Sequence, residues 1–136
     1  MKRVKTSELT GAALDWAVAV CLGAVWQPRS ARASFFIWPG TSVKYSARAP
    51  RYSTDWAQGG PIIEREGINP FRYNKLDPEA PYVWGAHKVV PRPNMEGSTN
   101  MVALCLDGPT PLIAAMRCFV ASRLGDEVDI PEELMA

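Results

Sequence analysis

Two long apolar stretches with helical spacing bracket the chain, one over residues 11–22 and one over 111–124. Between them lie mostly short β-favouring runs broken by turn residues. That order constrains the fold most. Strands grouped between helices, rather than alternating with them, predict an antiparallel sheet packed by two main helices, an α+β design. In the first helix Ala13, Leu14, Ala17, Val18, Cys21 and Leu22 share a face, with Thr10 as N-cap, Leu9 as staple and Gly23 as the stop. Trp16 flanks that face as a packing residue. In the second, Leu112, Met116, Phe119, Val120 and Leu124 form the face, Thr110 and Pro111 the start and Gly125 the end. Arg117 and Arg123 fall in its later turns, where positive charge suits the helix dipole.

The strand candidates are Lys2–Leu9, Ser34–Trp38 returning over Thr41–Ser46 through Pro39-Gly40, Tyr82–Val90 and Met101–Leu106. Asn69–Pro81, with three prolines, reads as a loop, and Pro91–Asn100 as a polar connection. With 136 residues, 1–136 is expected to be a single domain with one core. A hydrophobic fraction of 47% against 21% charged residues marks a globular chain rather than a disordered one. The run Trp16–Trp26 is too short to span a bilayer, so no membrane partner is expected. Met1-Lys2-Arg3 leads into no apolar signal segment, and a cytoplasmic location follows.

A net charge of +1 gives no global pull toward nucleic acid, although local charge is uneven. No acid occurs between Asp15 and Asp55, where Arg29, Arg32, Lys44, Arg48 and Arg51 interleave with Phe35, Phe36, Trp38, Tyr45 and Tyr52. Five acids follow from Asp126 to Glu133, and the tail can dock back through Ile130 and Leu134. The two charged regions could meet within one chain or across a homo-oligomer. Cys21, Cys105 and Cys118 are scattered in apolar runs and read as buried free thiols. No Cys/His metal spacing is present, and no metal or cofactor is expected. His87 is the single histidine, with proton transfer as its one candidate chemistry.

The densest cluster of special residues is Tyr52–Ile68. Ser53-Thr54-Asp55 suit a turn or cap, Gly59-Gly60 a tight turn, Pro61 the first position of a short helix and Gly67 its end. A glycine turn opening a helix aims backbone N–H groups at an anion. Trp56, or Trp84 from the next strand, could stack a base. Arg51 or Arg65 could hold a phosphate, and Thr54 or Asp55 could read polar edges. The expected ligand-binding set is therefore Arg51, Thr54, Asp55, Trp56, Gly59, Gly60, Arg65 and Trp84, for a small nucleotide-like ligand. The other explanation for the same glycines and tryptophan is a plain turn and a core residue. No catalytic residue is assigned, because Asp55, Glu64, Glu66 and His87 show no recognisable arrangement. A different class of function, a protein- or nucleic-acid-interaction module, rests on the basic aromatic segment 29–52.

Three stretches carry a family resemblance. They are Lys5-Thr6-Ser7-Glu8-Leu9-Thr10-Gly11 with the Ala-Leu-Asp-Trp-Ala-Val that follows, Tyr52–Ile68, and Gly108–Arg117 running on to Gly125-Asp126-Glu127. Together they resemble the NinX-type proteins of tailed bacteriophages and prophages. The resemblance implies a phage gene product at work in the bacterial host cell, and it supplies no reaction. Residues 27–51 and 69–100 carry none of its motifs.

Overall fold

The computed structural model describes residues 1–27, 35–37, 44–46, 50–73, 83–91 and 101–135. In chain order the elements are β1 (Lys2–Lys5), α1 (Gly11–Cys21), β2 (Val25–Gln27), β3 (Phe35–Ile37), β4 (Lys44–Ser46), α2 (Trp56–Glu66), β5 (Asn69–Tyr73), β6 (Val83–Pro91), β7 (Met101–Gly108), α3 (Pro111–Leu124) and β8 (Glu127–Ile130). Short 3-10 turns at Thr6–Glu8 and Glu132–Leu134 complete the set. The architecture is α+β, and every strand pairing is antiparallel.

α3 is the centre of the fold. It packs on all three strands of the β5-β6-β7 sheet and also touches α1, α2 and β8. With partners on several sides it cannot keep a polar face, so every residue from Ala114 to Ala121 is buried. Met116, Phe119 and Val120 are fully enclosed as the sequence predicts, whereas Leu124 is exposed beyond the last packed turn. α1 behaves similarly: Ala13 to Ala19 are all buried, Trp16 among them, whereas Cys21 and Leu22, expected on the buried face, are only partly covered at its last turn. The Trp16 indole meets Trp26 edge-on, with ring centroids 6.1 Å apart.

Capping follows the sequence at two helix ends and departs at a third. The Thr110 hydroxyl accepts from Ile113 N–H at 3.1 Å, with Pro111 behind it, and Gly67 closes α2 in the left-handed conformation. Thr10 holds the N-cap position of α1, but its side chain accepts no capping hydrogen bond. Gly11 enters that helix at φ +54, a turn that redirects the chain before a regular cap can form.

Two other expectations change. The strands do not form one sheet: β1 pairs with β8, β2-β3-β4 form a small meander, and β5-β6-β7 form the sheet under α3. Part of the expected Asn69–Pro81 loop is strand β5, since Pro70 sits on a sheet edge, where a missing N–H costs no ladder bond. The acidic tail docks back on the start of the chain through its apolar residues, as the sequence predicts. It becomes β8 beside β1, burying Val128, Ile130 and, just beyond, Leu134, while Arg3 pairs with Glu127 at 3.0 Å and Asp129 at 3.5 Å. The Pro39-Gly40 turn, Arg29, Arg32, Arg48, residues 74–82 and the connection 92–100 lie outside the described residues.

Candidate functional site

The Tyr52–Ile68 stretch is a helix, and it starts earlier than the sequence suggests. α2 begins at Trp56 and is capped by Asp55, whose carboxylate accepts from Ala57 N–H at 2.9 Å. Gly59, Gly60 and Pro61 are therefore interior positions, and neither glycine has a positive φ. The expected Gly-Gly anion turn does not exist. The first free N–H groups of the helix belong to Trp56 and its neighbours, and Asp55 already serves one of them. Pro61 removes one interior helix bond, the one that would reach the carbonyl of Ala57, an exposed residue open to water.

Gly59 has a different reason to be glycine. A Cβ there would lie 2.3 Å from the Tyr52 carbonyl oxygen and 2.6 Å from Leu112 Cδ1. Its bare backbone lets α2 close against α3 and the 51–55 turn, with Ile62 buried one turn on. That turn is bonded from inside: Arg51 C=O accepts from Thr54 N–H at 3.2 Å and Asp55 N–H at 2.8 Å, and Arg51 N–H donates to Gln58 Oε1 at 2.8 Å.

Five of the eight expected ligand residues converge here. Arg51 and Thr54 are exposed, Asp55 is half-buried, and Trp56 keeps 53% of its surface in water. Gly60, one helical turn on, would bring a Cβ only to 3.9 Å from Trp56 Cε3, so nothing crowds the indole from that position. The other three are placed differently. Gly59 is buried as a packing contact. Arg65 is nine residues along α2, about 13 Å from Trp56 along the axis. Trp84 packs against the core from β6, with the Arg72 guanidinium 6.0 Å from its ring centroid.

Beneath the turn is a group the sequence reading did not assign. Asp15 on α1 is buried, and its carboxylate accepts from Ser53 N–H at 2.8 Å. Burial pushes its pKa above the ordinary carboxylate value, while the Ser53 backbone and hydroxyl and the Arg51 charge hold it back. Burial, together with Asp15, also pushes the Tyr52 phenol up to about 12. A lone acid inside Ala-Ala-Leu-Asp-Trp-Ala-Val was the available signal. Arg117 carries a similar one. Rather than serving the helix dipole at the surface, it is buried and donates to Leu9 C=O and Asp107 C=O, each at 2.8 Å. It thereby ties the start of α1 to the end of β7.

The remaining chemistry-bearing residues are dispersed. His87 on β6 is half-buried, with Nε2 2.9 Å from Asn69 Nδ2 and its ring against Phe71. Cys118 is buried as expected, Cys21 is partly so, and Cys105 is exposed because odd-numbered β7 residues face away from α3. Among the described residues no group of three or more His, Cys, Asp or Glu side chains could hold a metal ion, and no helix is long and apolar enough to cross a membrane.

The fold and this site define a small α+β domain with an open, aromatic-bearing helix start. A family model described as Bacteriophage P22, NinX matches residues 5–123, and the chain belongs to that family. Membership makes it a phage accessory protein. No curated protein matches the chain.

Proposed function

We propose that this phage accessory protein is a non-enzymatic binding protein for a small anionic, nucleotide-like ligand, acting in the bacterial cytoplasm. Sequestration of a host nucleotide signal is the role that such binding would serve. The observation that carries the reading is the exposure of Trp56. A core tryptophan would be covered, as Trp16 is at 5%, yet Trp56 stands 53% exposed beside an exposed Arg51. Its indole can stack a base, and the Arg51 guanidinium, which hydrogen-bonds nothing else among the described residues, can take a phosphate. Asp55 is committed to its cap, which leaves the Thr54 hydroxyl as the nearer polar reader. Arg65, about 13 Å along the helix from Trp56, is too far from this face to share one small ligand with it.

Calorimetry with a nucleotide panel tests the reading. Trp56→Ala should abolish the binding heat, and Arg51→Ala should weaken affinity about tenfold, the worth of one charge-assisted hydrogen bond. Because Trp56 is more than half exposed, its removal should cost only about 1–2 kcal/mol of stability, less than a buried tryptophan would. Absence of heat for every nucleotide, with a Trp56 variant that unfolds, would assign the stretch to scaffold alone.

A further inference from the structure

A second site lies at the other end of α2. Glu66, its last residue, keeps only 11% of its side chain exposed and is held by three cations. Lys88 Nζ on β6 is 3.3 Å from Oε2, Arg123 on α3 hydrogen-bonds Oε1, and Arg65 stands 3.9 Å from Oε1. Burial alone would push the Glu66 carboxyl up, but the hydrogen bonds and charges of Arg123 and Lys88 outweigh it and bring its pKa below the ordinary value. One carboxylate against three cations leaves a local excess of two positive charges. Among the described residues no other acid pairs with any of them. A lysine has three donors and an arginine five, so Glu66 leaves most of them free.

Two of these cations also line a groove of about 520 Å³ between the last turn of α3 and the paired strands β6 and β7. Its apolar wall is built by Val90, Val102, Leu104 and Ala121, with Lys88 and Arg123 at one side. Val90 pairs with Val102 and Lys88 with Leu104 across the two strands, so the four side chains alternate onto the face that α3 covers. The volume is in the range of small-molecule sites, and apolar walls with few convergent charges are their usual make-up.

We propose that this groove binds a small amphipathic anion, a carboxylate or phosphate monoester on an apolar body. The head group takes the spare donors of Lys88 and Arg123, and the body lies along Val90, Val102 and Leu104. Glu66 positions the two cations. The site is separate from the Trp56 face and does not depend on the function proposed for that face.

Calorimetry of the full chain with octanoate, octyl phosphate and neutral octanol is the test. One saturable site is expected for at least one anion, about tenfold or more tighter than for octanol, and the tighter anion names the head group. Lys88→Met and Arg123→Gln should each weaken that binding about tenfold, while Trp56→Ala leaves it unchanged. Denaturation midpoints of both variants are measured alongside. Arg123 is half-exposed, so Arg123→Gln decides if Lys88→Met is poorly folded. No saturable heat for either anion, equal affinity for octanol, or full affinity in folded Arg123→Gln would overturn the proposal.

Discussion

Two adjacent glycines in α2 should respond to alanine very differently. Both are helix-interior positions, where alanine gains about 0.5–1 kcal/mol over glycine through the unfolded chain's lost freedom. At Gly60 the new methyl would come no nearer than 3.9 Å to Trp56 Cε3, but the Pro61 that follows disfavours a Cβ in helical backbone and offsets the gain. At Gly59 the methyl would sit 2.3 Å from a backbone oxygen and 2.6 Å from Leu112 Cδ1, which is 2% exposed and cannot swing away. Either α2 lifts from α3 or the 51–55 turn opens. Overpacking of this kind costs about 3 kcal/mol when the obstacle is backbone. Subtracting the propensity gain leaves Gly59→Ala about 2 kcal/mol less stable than the parent. In urea its midpoint should fall at unchanged slope, and its thermal midpoint should drop by about 8 °C. Gly60→Ala should move both far less. A Gly59→Ala protein as stable as the parent would refute the close approach of α2 to α3.

Three further outcomes are expected. Phe119→Ala and Met116→Ala, both fully buried, should each lose about 2–5 kcal/mol in denaturant titrations. Asp15 has a folded pKa raised by burial, so its contribution is fully present below the unfolded value and is lost as pH rises through the folded one. Asp15→Asn keeps an acceptor for Ser53 N–H and should flatten stability over that window, read as urea midpoints from pH 3 to 7; an unchanged profile would refute the assignment. Deleting residues 126–136 removes β8 with buried Val128, Ile130 and Leu134, at about 5 kcal/mol or more. The expected result is loss of cooperative unfolding, and a truncated chain that keeps its transition would show the β1–β8 pair to be dispensable.

Short-range chemistry was legible in the sequence. The spans of α1 and α3, the Thr110 cap with Pro111, and the Gly67 and Gly125 stops depend on residues within a turn of one another, so local reading finds them. The start of α2 was missed because Gly-Gly-Pro is a strong turn signal locally, and only packing on α3 makes a helix through it worthwhile. β5 was missed for the same kind of reason, since Pro70 is acceptable only on an edge, and edges are a property of the assembled sheet. At the candidate site the sequence alone supplied Arg51, Thr54, Asp55 and Trp56 as neighbours, because they are consecutive or nearly so. It could not separate Gly59 from Gly60, whose difference is the position of Leu112 on another helix. Nor could it bring Asp15 under Ser53, Arg117 between Leu9 and Asp107, or Lys88 and Arg123 around Glu66. Those contacts join residues far apart in the chain. Burial decides them, because a charge taken out of water must find its partner wherever the fold has placed one.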